Sequence, residues 1–372
     1  MPFYQLEVGL CTSCTMVQQL NEVPPNAMYR ADYPYRASGS SLIRKHGEDV
    51  AHDIMQACSG GHDKFVVEIG SNDGVMLKTL SNAGIRHLGV DPAAEAGDVA
   101  RSLGINVRTD FFNESTAADI RDRHGAAHMI YSANTISHIS YLDSIFRGAD
   151  LLLAPDGLFV IEDRYLGDIL KNVYFDQIYD EHIYLFSVRS VQAAAALFGF
   201  ELIDAEHLAL HGGSFRYTIA RAGAKERAAN IANLLAQEKA EGIAEEETFI
   251  RFSAEIERIR RELVNLLSDL RDQGKRVVGY GATSRSATVM NYCHIGPSLI
   301  PVVCDSTPEK QGRLTPGSEI PVCSPEAFTD PYPDYALLFA WNHADEIMAK
   351  ERAFRENGGR WILYAPHKVH LV

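Results

Sequence analysis

The sequence predicts an α/β protein of two units, each a parallel sheet covered by helices. Short runs rich in Val, Ile and Phe alternate with helix-length stretches between residues 65 and 163, as expected of strands buried on both faces. The same alternation resumes between residues 276 and 366, after a long charged helical stretch. The chain of 372 residues also exceeds what one core usually holds, because single cores stop growing at roughly 250–300 residues.

Hydrophobic residues make up 46% and charged residues 23%, the composition of a globular chain that folds. A formal charge of −14 argues against a phosphate backbone as the main partner, since that kind of binding depends on Lys and Arg releasing counterions. An anionic small molecule can still be held by a locally basic pocket. No apolar run reaches membrane-spanning length, and the opening MPFYQLEVGL lacks the charged and apolar regions of a secretory leader. The expectation is a cytoplasmic enzyme, monomeric or homodimeric, with neither a nucleic-acid nor a membrane partner.

Residues 1–40 are rich in Tyr, Pro and Ser, and Pro24, Pro25 and Pro34 break any helix there, which makes this stretch a lid or extension. Residues 41–58 read as a helix leading into FVVEIG (65–70), a buried strand stopped by glycine. Strands follow at HLGVD (87–91), INVRTD (105–110), HMIYSAN (128–134) and GLFVIED (157–163), and near 201–206 and 215–220, so that the first unit spans 41–222. The connecting region 223–274 carries Phe249, Phe252, Ile256, Ile259, Leu263, Leu266 and Leu270 at 3-4 spacing. This seam fits an amphipathic helix packed on its own protein better than a dimeric coiled coil, because it is only about three heptads long. Beyond Gly274, the segments RVVGYGA (276–282), LIPVVCD (299–305), YALLFAWN (335–342) and RWILYAP (360–366) predict a smaller Rossmann-like unit over 275–372. Its first turn, Gly279-x-Gly281-x-x-Ser284, lacks the third glycine of a dinucleotide fingerprint.

The loop Glu68-Ile-Gly70-Ser71-Asn72-Asp73-Gly74 stands between a buried strand and a helix, where glycine permits a sharp turn and close approach of a ligand. It offers acids and no Lys, which suits a ligand bearing an amino group and a sulfonium better than a pyrophosphate. Asp91, ending the second strand, can accept from both hydroxyls of a ribose, and Asp110 with Phe111 can face an adenine. Asn134 ends the fourth strand beside them. A tight turn with Asp73 as a simple helix cap is the alternative. This loop and acid resemble those of class I S-adenosylmethionine-dependent methyltransferases, which implies that Glu68, Gly70, Ser71, Asn72, Asp73, Gly74, Asp91, Asp110, Phe111 and Asn134 bind that cofactor.

Tyr179-Asp180-Glu181-His182 follows the fifth strand, where open α/β sheets place the substrate crevice. Tyr179 and His182 would share one face of a helical turn, with Glu181 beside the imidazole, and His138 follows the fourth strand at the same edge. Adjacent glycines in HGGSFR (211–216) leave amides exposed, and Arg216 can pair with a phosphate, unless the segment is only a hairpin turn.

Taken together, CTSC (11–14), YPYRASGS (33–40), EIGSNDG, SANTISH, YDEHIYLFS (179–187) and HGGSFR resemble, in order, the sugar C-methyltransferases of deoxysugar biosynthesis. The resemblance runs along nearly the whole chain. It implies methylation at C3 of a nucleotide-linked 4-keto-deoxyhexose, with His182 as the base that removes the C3 proton, Glu181 beside it, and Tyr179, His138 and Tyr33 lining the site. Tyr35, His211, Ser214, Arg216, Arg285 and Asn342 would meet the substrate, with Arg285 or Lys310 reaching its phosphates. The family's zinc module uses two cysteine pairs, and this sequence carries one, Cys11 and Cys14, so the metal site is incomplete.

Three alternatives stand beside this reading. An O- or N-methyltransferase would use His182 on a hydroxyl or amine. A nicotinamide-dependent nucleotide-sugar oxidoreductase would use the 276–286 loop, against which count the incomplete glycine pattern and the lack of a clear Tyr-x-x-x-Lys pair. A non-catalytic nucleotide-sugar binder would leave the acid–base cluster without a role.

Overall fold

A computed structural model describes residues 4–28, 35–57 and 64–372. Three sheets carry the strands. An antiparallel ribbon joins β1 (Val8–Leu10), β2 (Val17–Gln19) and β8 (Tyr184–Leu185), in that order. The ribbon falls in a stretch that reads as irregular, because strands of two or three residues are too short to show a period.

The central sheet contains β3 (Phe65–Ile69), β4 (Arg86–Val90), β5 (Val107–Arg108), β6 (Ala127–Ala133), β7 (Leu153–Arg164), β9 (Phe200–Leu208) and β10 (Ser214–Arg221). Their order is β5-β4-β3-β6-β7-β10-β9, with β3 to β7 parallel and β10 antiparallel to both its neighbours. All five residues of β3 are buried, as its unbroken apolar run requires. The chain builds outward through β4 and β5, then crosses back to β6 on the other side of β3. Strand order therefore reverses between β3 and β6, and ligands of such sheets bind outside the carboxyl ends at that reversal.

The third sheet contains β11 (Val277–Tyr280), β12 (Val303–Cys304), β13 (Val322–Cys323), β14 (Tyr335–Leu338), β15 (Arg360–Leu363) and β16 (His370–Leu371), ordered β13-β12-β11-β14-β15-β16. Only β16 runs antiparallel to its partner. β12 is shorter than its apolar run suggests, since Pro301 has no amide to add to a ladder.

The charged connecting region is two helices, Asn230–Glu241 and Glu246–Asp272, parted at Gly242, whose φ of 65° lies in the left-handed region. On the longer helix Ile259, Leu263, Leu267 and Leu270 are buried in the core of the third sheet, so the apolar seam is spent within the chain.

That core also takes in Leu166, Ile169, Val173, Tyr174 and Phe175, which follow β7, so the two large sheets are joined through shared packing. Tyr174 stacks on Trp341 with ring centroids 4.1 Å apart. Asp176 is fully buried, and its Oδ2 accepts from Trp341 Nε1 at 2.6 Å and from Tyr364 Oη at 2.7 Å. Replacing Asp176 by Ala leaves the Trp341 indole N–H buried and unpaired, at roughly 1–3 kcal/mol, and leaves Tyr364 Oη only its longer contact to the Phe339 carbonyl at 3.3 Å. Asp176→Ala is expected to lower the melting temperature markedly in calorimetry, while Asp176→Asn, which keeps an acceptor oxygen, loses less.

Candidate active site

The loop after β3 is shaped by steric constraint. Gly70 has φ 73°, and a Cβ there would lie 2.1 Å from Thr135 Oγ1, which packs from the turn after β6. Gly74, at φ 79°, begins the helix Val75–Asn82, and Asn72 is also left-handed at φ 47°. Asp91 follows β4 and binds the loop in place: its Oδ2 accepts from Asn72 N at 2.8 Å and its Oδ1 from Ala93 N at 2.8 Å. Asp73 accepts from Ser38 Oγ at 2.5 Å, and Asn72 Oδ1 from Ala37 N at 3.0 Å, so residues 35–40 lie over the loop.

Three buried atoms around this loop have no hydrogen-bond partner among the described residues: Glu68 Oε2, Ser71 Oγ and Asn134 Oδ1. Burial, together with Asp91, Asp73 and Glu162, holds the Glu68 carboxyl well above the usual carboxylate range. A negative cradle of acceptors whose charges repel one another is relieved by a ligand carrying positive charge and N–H donors. S-adenosylmethionine, with its amino group and sulfonium, has that chemistry, so the residues fit the cofactor. Asp110 is less committed to it, because its Oδ2 accepts from Arg108 at 2.9 and 3.1 Å and its Oδ1 from the amide of half-buried Phe111.

The acid–base residues meet at the same edge. His182 is 1% exposed, its Nδ1 lies 2.5 Å from the Gln177 carbonyl oxygen, and its Nε2 is buried with no partner among the described residues. A carbonyl can only accept, so Nδ1 carries the proton and Nε2 the lone pair. The ring lies 3.8 Å from that of Tyr179 and 5.2 Å from that of His138. Burial, the nearby Arg164 guanidinium and His138 hold His182 well below the usual histidine range, and burial with Arg164 pushes His138 down to about 3. Burial raises the Tyr179 phenol. Glu181, next to His182 in sequence, is half-buried. Tyr33 lies outside the described residues.

The other expected contacts divide. Arg285 is buried over the Trp341 ring, 5.0 Å from its centroid, with Nη1 unpartnered among the described residues, and Asn342, next to Trp341 in sequence, is half-buried. His211 is held by burial well below its usual range, and its carbonyl accepts from Gln177 Nε2 at 2.9 Å. Tyr35 is half exposed, with its carbonyl accepting from Asn72 Nδ2 at 3.3 Å. Ser214 spends its hydroxyl on the Leu210 carbonyl. Arg216 is engaged with Glu162 at 2.6 Å and with Asp53 and Glu206 at 3.3 Å, so a phosphate there would have to displace three carboxylates. Lys310 pairs with Asp305 at 3.5 Å. Gly212 and Gly213 are required by packing, because Cβ atoms there would lie 2.7 Å from Trp341 and 2.0 Å from Asp168. Cys11 and Cys14 share the β1–β2 turn, and no group of three or more metal-binding side chains occurs among the described residues, so this pair does not make the four-ligand site that zinc takes.

Sequence reasoning missed Gln177, whose backbone carbonyl holds the His182 ring, and Gln19 on β2, whose Nε2 donates to the Tyr179 carbonyl and, at 2.8 Å, to that of His182. It also missed Arg164, the last residue of β7, 8% exposed; a charge directly ending an apolar strand was the available signal.

Family models described as a methyltransferase domain and a C-methyltransferase C-terminal domain match residues 43–205 and 209–366. The C-methyltransferase NovU of Streptomyces niveus is 36% identical over 364 residues, covering 98% of this chain and 86% of that protein. A ubiquinone biosynthesis O-methyltransferase of Haemophilus ducreyi is 24% identical over 111 residues, 28% of this chain and 47% of that one. A solved S-adenosylmethionine-dependent methyltransferase of Clostridium acetobutylicum covers 48% of this chain and 92% of its own, at 11% identity and a TM-score of 0.38. With a relative matched along nearly its whole length and both halves covered by methyltransferase models, this chain belongs to the C-methyltransferase family and is an S-adenosylmethionine-dependent enzyme.

Proposed function

We propose that this enzyme methylates C3 of a nucleotide-linked 4-keto-deoxyhexose, with His182 as the base. The observation that carries this reading is the buried, unpartnered Nε2 of His182, presented at the carboxyl edge of the sheet with its proton fixed on Nδ1. A carbon next to a ketone is a weak acid, so its deprotonation needs a neutral, positioned acceptor in a site closed to water. Tyr179 and His138 flank that acceptor and exclude solvent from it. The buried Arg285 guanidinium, whose Nη1 has no partner among the described residues, suits an anionic substrate such as a sugar nucleotide.

S-adenosylmethionine, when bound, supplies an electrophilic methyl group. Glu68, Ser71, Asp91 and Asn134 would hold it, and Gly70 would keep the loop clear. Gly70→Ala is expected to weaken cofactor binding in calorimetry by at least about tenfold, since a side chain at that φ costs roughly 1–2 kcal/mol before its clash with Thr135 is counted.

Proton transfer can be followed without the cofactor. In heavy water, wild-type protein is expected to exchange the C3 hydrogen of a nucleotide-linked 4-keto-6-deoxyhexose for deuterium, and His182→Ala to lose roughly 10²–10⁴-fold in that rate. Undiminished exchange in His182→Ala would remove His182 as the base, and methyl transfer to oxygen or nitrogen without exchange would assign O- or N-methylation instead.

The pH profile gives a separate check. A base whose pKa is depressed stays neutral as pH falls through the ordinary histidine value of 6.5, so the exchange rate should hold through that range and fall only at lower pH. An acid limb centred at 6.5 or above would contradict the buried, cation-flanked placement of His182.

A further inference from the structure

Arg164 has no role in the chemistry as described so far. Its Nε and Nη1 are buried without hydrogen-bond partners among the described residues. A guanidinium in that position is costly unless something accepts from it. Its ionic neighbour among the described residues is Asp163, whose Oδ1 is 3.6 Å from Nη1. That carboxylate is already engaged, Oδ1 by Ser137 Oγ at 2.8 Å and the Arg164 amide at 2.9 Å, and Oδ2 by Ser137 N at 3.0 Å. Asp163 therefore offsets the charge at a distance and leaves the two donors open.

The position is specific. Arg164 pairs in register with Ser214, and the next amide, of Tyr165, donates to Gly213 O. Asp163 anchors the turn that carries His138, whose ring lies beside that of His182. Arg164 thus stands at the carboxyl edge between the His138 turn and the glycine turn, and its field is felt at His182, His138, His211 and Tyr179.

We propose that Arg164 binds the ketone oxygen of the substrate and holds the negative charge that forms there when His182 deprotonates the adjacent carbon. The proposal rests on the reading of His182 as the base. In this step the C–H bond breaks and its proton goes to His182 Nε2. The C–H electron pair becomes the carbon–carbon π bond, and the carbonyl π pair moves to oxygen. The substrate goes from neutral ketone to enolate, and the imidazole from neutral to cation. Arginine suits the task because it presents fixed N–H donors and does not give up its own proton. Before transfer, its charge disfavours a second cation at His182; after transfer, the new oxyanion offsets both.

The test is cofactor-free C3 exchange in heavy water at saturating nucleotide-linked 4-keto-6-deoxyhexose, comparing wild type, Arg164→Met and Arg164→Lys. Arg164→Met is expected to lose roughly 10²–10³-fold in the saturated exchange rate, as for removal of an oxyanion donor, with the sugar's KM little changed and Lys restoring part of the rate. Its acid limb should also move to higher pH, because a cation beside His182 is gone. Calorimetric binding of S-adenosylmethionine reports that each variant is folded; if Arg164→Met is not, Arg164→Lys decides, with a loss of about tenfold or more expected and no loss overturning the proposal. A saturated rate in Arg164→Met close to wild type, or a loss confined to KM as for a phosphate contact, overturns it while the reading of His182 stands. Absence of exchange in the wild-type protein overturns both.

Discussion

The proposed role of His182 depends on its other nitrogen being occupied. The Nδ1 proton is held on the Gln177 carbonyl, which fixes the tautomer and the ring plane together, and the rest of the site is arranged to keep that carbonyl still. Gln177 is itself held through its side chain on the His211 carbonyl. One residue earlier, Asp176 binds Trp341 and Tyr364 of the C-terminal unit. From the opposite side Gln19 holds the carbonyls of Tyr179 and His182. All three sheets therefore act on one short segment, residues 176–182, which has little regular structure of its own.

The surroundings of the β3 loop and of His182 carry opposite charge. Around the β3 loop lie Glu68, Asp73 and Asp91, with Glu162 close enough to raise Glu68 further. Around the base lie Arg164 and Arg285, both of which depress His182 and His211. A cationic donor and an electron-rich acceptor would each find a complementary field, and those fields would orient them toward one another. The chain's net charge of −14 gives no hint of this, because the sum hides a local separation that only the fold creates.

What was legible in the sequence was what local pattern controls. The run FVVEI announces a buried strand, the glycines after it announce a turn, and the 3-4 spacing on Glu246–Asp272 announces a buried face. What was not legible depended on partners far along the chain. Arg216 beside two glycines suggests a phosphate contact until Glu162, 54 residues away in sequence, is found 2.6 Å from its Nε. Gly212 and Gly213 suggest open amides until Trp341 and Asp168 are found against them. Gln177 acts through a backbone oxygen, which no side-chain pattern records.

The amino-terminal ribbon shows how a remote segment is made to reach the base. Met16 and Val17 are buried in separate hydrophobic clusters, Met16 with the central sheet and Val17 with the third-sheet core, and the β2–β8 pairing fixes Val17 against Leu185 and Gln18 against Tyr184. Successive residues on a strand face opposite ways, so burying Met16 on one side and Val17 on the other leaves the ribbon little freedom to slip. Gln19, two residues after Val17, is thereby directed toward the same side as Val17, where the carbonyls of residues 179 and 182 await donors. Apolar burial of Met16 and Val17 in two different clusters, at the start of β2, thus sets the position of an amide whose hydrogen bonds hold the backbone of Tyr179 and His182.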